Sequence, residues 1–307
     1  MRSPTQRHLS EKDIAEIVSD GLGAGITGAA ELSGGTFAAV WRAELDDGRP
    51  VVVKVGPPPS ARMLRYEEGL IPAEAEYFAM VAGRAPVPEV LAVSDDADRP
   101  WIVTSLLPGR PLTEADSPRA REQLGAVMAR VHEITGPHFG YTGNRPAGGD
   151  WPTAFGAIIR ALRTDAAEWD VPLPPLDGVV ERHHDALAAV TRPALLHFDL
   201  WDGNVLAGPD GELTGLVDGE RYLYGDPLLD FVSPALMRRI EELPDHPFLA
   251  GYRPAPFDEP ARIRLSLYRI HLYVLMITEG PSRGIAIADG RHDHLTGLLT
   301  RELADLP

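Results

Sequence analysis

The chain has 307 residues, of which 44% are hydrophobic and 24% are charged, so its composition is that of a globular protein. It contains no cysteine, which excludes a disulfide framework, a thiol nucleophile and a thiolate metal site. The formal net charge of −16 argues against nucleic-acid binding, and the N-terminus lacks the apolar core of a signal peptide. We therefore expect a cytoplasmic protein that contacts neither nucleic acid nor membrane, and its oligomeric state stays open.

The first third of the chain predicts a small sheet with one inserted helix. A short helix begins near Ser10, and residues 31–55 alternate and turn like antiparallel strands. A helix follows over residues 71–83, with a proline near its start and a glycine at its end. A further hairpin extends to Leu107.

The remainder predicts mainly helices, interrupted by two short strands within residues 194–220. Helical patterns begin near Ser117, Trp151 and Leu176 and resume after Pro227. These elements favour an α+β fold of two lobes, with a β-rich lobe over residues 1–107, a larger helical lobe over 108–307 and a cleft between them.

Lysine is scarce in this sequence. Of the 29 basic residues only Lys12 and Lys54 are lysines. Lys12 lies in a polar run, but Lys54 lies between Val53 and Val55 in a predicted buried strand, where a charge is costly unless it has a partner. Because this chain uses arginine elsewhere, position 54 indicates a specific need for lysine.

A dense group of polar residues follows the first short strand of the second half. His197, Asp199 and Asn204 form the pattern His-x-Asp-x4-Asn, and Asp218 follows after a hairpin-like interval. Two carboxylates and an amide are oxygen donors of the kind that Mg²⁺ prefers, and a carboxylate there can also accept the proton of an attacking hydroxyl. This division of roles is the arrangement of phosphoryl transfer. The simpler alternative is a turn-forming pair, Asp199 with Asn204, and His197 is expected to brace the loop rather than to act as a base.

The sequence contains an internal control for this motif. His183 to Asp185 also contain a His-x-Asp, but position 190 is valine and no second carboxylate follows in register. We expect this second copy to lie on the surface of a helix.

The motifs "LLHFDLWDGNVL", "GLVDGE" and "GDPLLDF" together resemble the aminoglycoside phosphotransferase and choline kinase superfamily, whose fold is similar to that of protein kinases. The resemblance implies that Asp199 is the catalytic aspartate, that Asn204 and Asp218 bind Mg²⁺, and that Asp226 is a structural acid supporting the loop. The chain departs from the family at Phe198, where glycine is usual.

The resemblance extends to the nucleotide-binding loop of the small lobe. "LSGGTFAAVW" resembles the loop that folds over the phosphates of ATP, and Ser33, Gly34 and Gly35 would allow close backbone approach. The alternative is an ordinary hairpin turn.

The same resemblance implies that Lys54 contacts the α- and β-phosphates and that Glu74 is its counter-charge. Glu76 is the competing partner, but only one of the two can face the lysine because they are two residues apart on a helix. We favour Glu74, which shares a helix face with the apolar residues Phe78 and Val81.

"IVTSLLPGRPL" resembles the hinge between the lobes of such kinases. By that alignment the Ser105 carbonyl and the Leu107 amide would pair with adenine, with Thr104 behind it. An ordinary buried strand is the alternative.

Only six residues separate Asp218 from Gly225, which leaves no room for the activation segment that holds a peptide substrate in protein kinases. The expected function is therefore transfer of the γ-phosphate of ATP or GTP, with Mg²⁺, to a hydroxyl of a small and possibly cationic acceptor. An aminoglycoside-like antibiotic or a related aminosugar or amino alcohol is the first expectation. Asp202 and Glu220 are candidates for binding its ammonium groups, although each is more simply a solvated carboxylate.

Two other functions stay open. "DLW" followed by "GN", which contains Trp201, is similar to the fructosamine kinase branch of the superfamily and favours a ketosamine acceptor. A non-catalytic nucleotide-binding regulator would be expected to lack one of Lys54, Asp199, Asn204 and Asp218, and all four are present.

Overall fold

The computed structural model describes residues 2–94 and 96–306. The first part of the chain forms an antiparallel sheet in the order β1-β2-β3-β5-β4. Its strands are β1 (Ile26–Glu31), β2 (Ala39–Leu45), β3 (Pro50–Val55), β4 (Val90–Val93) and β5 (Trp101–Ser105). Helix α1 (Glu11–Leu22) precedes the sheet, and α2 (Leu70–Val81) lies between β3 and β4.

Helix α1 covers one face of the sheet. The Ser10 hydroxyl accepts a hydrogen bond from the Asp13 N–H, and the Asp13 carboxylate accepts the N–H of Ser10 at 2.7 Å, so the helix begins where the sequence predicts. Its buried residues pack against the valines of β3, and these residues are Ile14, Ile17 and Val18.

Strand β3 separates two environments. Val51, Val53 and Val55 belong to the cluster under α1, whereas Lys54 points to the opposite face because side chains alternate along a strand. Helix α2 packs on that opposite face. The lysine is therefore directed into the interior between the sheet and α2.

The second part is mainly helical, as predicted, and the α+β class is confirmed. Its α-helices are α3 (Pro118–Val131), α4 (Trp151–Glu168), α5 (Val179–Arg182), α6 (His184–Ala188), α7 (Pro247–Tyr252), α8 (Glu259–Thr278) and α9 (Gly290–Asp305). Its strands are β6 (Arg110–Pro111), β7 (Phe139–Gly140), β8 (Ala147–Gly148), β9 (Ala194–Leu196), β10 (Val205–Ala207), β11 (Leu213–Leu216) and β12 (Leu223–Gly225). They form two small sheets, β11-β10-β6 and β8-β7-β12-β9. The division between the lobes at residue 107 stays a prediction.

The most apolar late segment forms the buried helix α8. Its residues from Leu265 to Ile277 are mostly buried, in contact with α4, α6 and α9. Within the described residues, no helix combines the length and the apolarity that crossing a bilayer requires.

Helix α8 contains a fully buried histidine beside the candidate catalytic loop. His271 stacks on Phe198 with ring centroids 4.8 Å apart, and neither of its ring nitrogens has a hydrogen-bond partner among the described residues. Burial lowers the pKa of His271 to about 3, so the folded protein holds it neutral.

Replacing this histidine is expected to reduce the sensitivity of the protein to acid. Below about pH 6.5 the unfolded chain binds a proton at His271 that the folded chain does not, so folding stability falls as the pH drops from about 6.5 toward 3. In His271→Phe the loss of unfolding free energy between pH 8 and pH 5 is expected to be smaller by about 2 kcal/mol. Urea unfolding at the two pH values measures this difference, and equal losses in both proteins would contradict it.

Candidate active site

A buried carboxylate accepts hydrogen bonds from the backbone of the loop that follows β9. Asp230 accepts the N–H of His197 at 2.9 Å and the N–H of Phe198 at 2.6 Å, and its side chain is fully buried. Since both oxygens bind consecutive backbone amides, the position of the loop is defined up to Asp199.

The acid that supports this loop is therefore Asp230, and the assignment of that role to Asp226 is wrong. Asp226 accepts hydrogen bonds from Arg264 Nε at 2.7 Å and from the Tyr268 hydroxyl at 2.8 Å, and so anchors α8. Both acids occur in "GDPLLDF", and the one-turn helix between them turns only the second toward the loop.

Phe198 occupies the position where glycine is usual in the resembling family, and its backbone explains that preference. Its φ is +67°, a left-handed conformation that costs less for glycine than for a residue with a side chain. The ring is buried against His271, and the Phe198 carbonyl accepts a hydrogen bond from Ser233 Oγ at 3.3 Å. Packing and the amide bonds to Asp230 therefore hold the strained residue in place.

His197 braces the loop, as expected. Its Nε2 donates to the carbonyl of Val217 at 3.0 Å, and its Nδ1 accepts the N–H of Asp199 at 3.2 Å. Burial lowers the pKa of His197, and the neutral ring has one donor and one acceptor for these two bonds. The histidine thus links the loop that contains Asp199 to the strand end that precedes Asp218.

Asp199 is the loop's candidate proton acceptor. Its side chain is 25% exposed, and Arg221 Nε lies 3.8 Å from its Oδ2. Burial raises the pKa of Asp199 to about 6 against the opposing effect of Arg221, so the carboxylate is ionised at neutral pH but close to its pKa. Asn204 Nδ2 donates to the Asp199 backbone carbonyl at 2.9 Å, which turns the amide oxygen of Asn204 in the other direction.

Lys54 lies among three carboxylates. Its Nζ is 2.9 Å from Glu74 Oε2 and 2.8 Å from Asp218 Oδ1, and it also donates to Glu220. Burial alone would lower the pKa of Lys54, but these carboxylates outweigh it and raise the pKa well above its usual value. The lysine is therefore charged and has the partner that the sequence required.

The structure distinguishes between the two candidate glutamates on α2. Glu74 is buried and contacts Lys54, whereas Glu76 is exposed on the next face and accepts a hydrogen bond from the Tyr222 hydroxyl.

Glu220 is the site residue that sequence reasoning missed as a partner of Lys54. Asp218 adopts a left-handed conformation with φ +59°, and the helical turn Gly219–Arg221 directs the Glu220 side chain back to the lysine. In the sequence Glu220 could not be separated from the many solvated carboxylates, because only this turn shows where it points.

The three carboxylates around Lys54 include Asp218, a predicted Mg²⁺ ligand. One carboxylate oxygen from each of Glu74, Asp218 and Glu220 lies within 4.8 Å of the others, and the Lys54 ammonium lies among them. Burial raises the pKa of Glu74 to about 8 against the opposing effect of Lys54. The side chain of Asp218 is 42% exposed and offers the oxygen donors that Mg²⁺ prefers, and its role as a metal ligand stays a prediction. Asn204, the other predicted Mg²⁺ ligand, lies in the adjoining loop. Its backbone carbonyl accepts the N–H of Val217, the residue before Asp218, at 3.0 Å.

Helix α2 packs through Tyr77 against the loops that contain His197 and Gly219. The Tyr77 ring lies edge-on to His197 with centroids 5.2 Å apart, and a Cβ at position 219 would lie 2.2 Å from that ring. Gly219 therefore makes room for Tyr77, and this contact couples the helix of Glu74 to both polar loops.

The predicted phosphate loop lies between β1 and β2. Ser33, Gly34 and Gly35 are exposed, and Gly34 has φ +123°. A Cβ at Gly34 or Gly35 would meet no atom within 4 Å, so the backbone there is open to a ligand. Their role in binding phosphate stays a prediction.

The predicted hinge residues lie at the end of β5. Thr104 is buried, and the Ser105 N–H donates to the Glu89 carbonyl at 2.9 Å. The side chain of Leu107 lies close to Gly215, where a Cβ would be 2.8 Å from its Cδ1. The contacts of Thr104, Ser105 and Leu107 with adenine stay predictions.

Other candidate residues are placed as follows. Asp202 pairs with Arg121 Nη2 at 2.6 Å, so it is not an isolated carboxylate available to an ammonium. Trp201, beside it, is 38% exposed. In the control motif Asp185 is fully exposed on α6, as expected, but His183 is buried just before that helix, so the expectation that the whole motif lies on the surface is wrong for the histidine.

Comparisons with known proteins agree with this geometry. The model of the "Phosphotransferase enzyme family" matches residues 28–265. The protein named "Probable ketoamine kinase YniA" of Escherichia coli K12 is 32% identical over 216 residues, which are 64% of this chain and 70% of the relative. A "Probable ketoamine kinase" of Thermus thermophilus is 31% identical over 254 residues, which are 80% and 84% of the two chains. A solved structure from Thermobifida fusca, provisionally designated fructosamine-3-kinase, superimposes with a TM-score of 0.68 at 25% identity and covers 96% of this chain and 100% of the other.

Proposed function

Since the chain belongs to the phosphotransferase enzyme family, we propose that it transfers the γ-phosphate of ATP to a hydroxyl group of a ketosamine. The observation that supports phosphate transfer is that the structure provides both Asp199, whose N–H donates to His197, and the buried Lys54, whose ammonium forms an ion pair with Glu74. A non-catalytic regulator would have no need for both.

In the proposed reaction Asp199 accepts the proton of the acceptor hydroxyl as that oxygen bonds to the γ-phosphorus, while the bond from the γ-phosphorus to the β,γ-bridging oxygen breaks and ADP leaves. The carboxylate is ionised at neutral pH, and because its pKa is raised to about 6 it is a better base than an exposed aspartate. Asn204 and Asp230 keep it in place through the backbone on either side.

Lys54 is proposed to bind the α- and β-phosphates from the floor of the cleft. Its ammonium is oriented by Glu74, which is itself buried on α2. Asp218 and Asn204 are proposed to hold Mg²⁺, which would neutralise charge on the transferring phosphate. GTP is the alternative donor.

The acceptor class is supported by the relatives. Two relatives that are 31% and 32% identical are named ketoamine kinases, and the similar solved structure is designated a fructosamine-3-kinase. Trp201, two residues after Asp199 in the sequence, is 38% exposed, and we propose that its aromatic ring packs against the sugar of the acceptor. An aminoglycoside-like acceptor, the first expectation from the sequence, is the competing class.

A screen for phosphorylated products tests the proposal. The protein is incubated with Mg-ATP or Mg-GTP and with fructosyl-lysine, small fructosamines, aminoglycosides or amino alcohols, and the mass of each acceptor is measured. We expect one added phosphate on the fructosamines and none on free lysine, the matched acceptor without the sugar. Phosphorylation of aminoglycosides alone would overturn the acceptor class. Absence of any product, together with no thermal stabilisation by nucleotide, would overturn the phosphotransfer itself.

A further inference from the structure

The segment of residues 2–7 lies along the loop of residues 32–38, and we call this segment the N-terminal clamp. Thr5 is almost completely buried, and its hydroxyl donates to the backbone carbonyl of Thr36 at 2.9 Å. A buried hydroxyl that donates to a loop carbonyl fixes the direction of that carbonyl.

Gln6 makes the second attachment. Its Nε2 donates to the carbonyls of Gly35 at 3.0 Å and of Ala38 at 3.2 Å. Its Oε1 accepts the N–H of Ser3 at 3.2 Å, so both ends of the amide are used and its orientation is defined. The clamp therefore binds three carbonyls of the loop through side chains.

Arg7 anchors the clamp to the end of β3. Its Nε donates to the carbonyl of Gly56 at 2.9 Å and its Nη2 to that of Pro57 at 3.0 Å. Gly56 follows Lys54 by two residues. The loop is thus connected to the strand that contains the lysine by a path outside the sheet.

The hydrogen bonds to these carbonyls also define the direction of the N–H groups in the same loop. In a planar trans peptide the carbonyl of one residue and the N–H of the next point in opposite directions. With the carbonyls of Gly35 and Thr36 turned to the clamp, the N–H groups of Thr36 and Phe37 point to the other side of the loop. Consecutive backbone N–H groups with one direction bind anions such as phosphate.

We propose that the N-terminal clamp is part of the nucleotide site, in which Thr5 and Gln6 are positioning residues. They hold the loop carbonyls away from the phosphates so that its amides face them. This inference rests on the proposed binding of ATP. The clamp acts on the phosphate end of the nucleotide only, because it makes no contact with the hinge at Ser105 and Leu107 among the described hydrogen bonds.

Calorimetric binding of Mg-ATP, Mg-ADP and adenosine to the full chain tests the clamp. In the double variant Thr5→Val with Gln6→Ala, affinity for Mg-ATP and Mg-ADP is expected to fall about tenfold, because about three modest hydrogen bonds that preorganise the loop are lost. Adenosine affinity is expected to stay at the wild-type value. The matched control is Thr27→Val, which removes a threonine hydroxyl that donates to the Glu44 carbonyl at 3.4 Å elsewhere in the same sheet.

The outcomes separate the inference from the proposed function. Equal Mg-ATP affinity in the double variant and the wild type overturns the clamp. A parallel loss of adenosine affinity also overturns it, since that result shows general damage to the lobe. A wild-type protein that binds neither Mg-ATP nor Mg-ADP overturns the proposed function and the clamp with it.

Discussion

Replacing Asp199 with asparagine is expected to abolish phosphate transfer while Mg-ATP still binds. The amide has the shape of the carboxylate but cannot accept the hydroxyl proton, and loss of a general base lowers kcat by about 10²- to 10⁴-fold. Among the described ion pairs Lys54 binds Glu74, Asp218 and Glu220 and not Asp199, so the nucleotide affinity should change little. Steady-state kinetics with the acceptor found in the screen, together with calorimetric binding of Mg-ATP, measures both quantities.

The stability of this variant provides a second check. The folded-state pKa of Asp199 lies above the usual value of an aspartate, so this group favours folding at low pH and that contribution is lost as the pH rises through about 6. At pH 8 the charge therefore destabilises the fold, and Asp199→Asn should melt at the same or a higher temperature. Asp185→Asn, in the exposed second His-x-Asp, is the matched control and should keep full activity. Wild-type turnover in Asp199→Asn would exclude Asp199 as the base.

The second large effect is expected for Lys54→Arg. A guanidinium is planar and larger than an ammonium, and the space between Glu74, Asp218 and Glu220 is occupied by a single compact charge. The variant should fold, because a positive charge remains among the acids, but kcat/KM for ATP should fall about 10²-fold, as when one preorganised electrostatic group is lost. Initial rates at varied ATP concentration and a melting curve measure the two properties.

Lys12→Arg is the matched control for this variant, and Lys54→Met tests what the positive charge at position 54 contributes to stability. Lys12→Arg, at the other lysine of the chain, is exposed and should be indistinguishable from the wild type. Lys54→Met leaves the buried Glu74 and Glu220 without their cation and should lower the free energy of unfolding by about 3–5 kcal/mol. An unchanged rate in Lys54→Arg would show that position 54 requires only a positive charge.

The motifs alone were sufficient to identify the family and the α+β class. His197, Asp199 and Asn204 lie within ten residues of one another, so one loop holds all three and their pattern can be recognised from the sequence alone. The family match over residues 28–265 confirms the resemblance that these motifs indicated. The single lysine between Val53 and Val55 was equally informative, since a buried charge must have a partner wherever the rest of the chain places it.

The comparison of the two acids in "GDPLLDF" shows where sequence reasoning stops. Asp226 and Asp230 are four residues apart and chemically identical, so composition and spacing could not determine which one meets the loop that contains Asp199. The helical turn Pro227–Phe231 decided it by directing Asp230 to the amides of His197 and Phe198.

The sequence by itself thus determined the reaction class, the candidate base and the need for a partner to Lys54. The tertiary structure decided which carboxylates surround that lysine, because Glu220 reaches it only through the left-handed turn at Asp218 and lies 166 residues away along the chain. It also decided that the N-terminal clamp lies against the predicted phosphate loop, since contacts between side chains and distant backbone carbonyls leave no local pattern in the sequence.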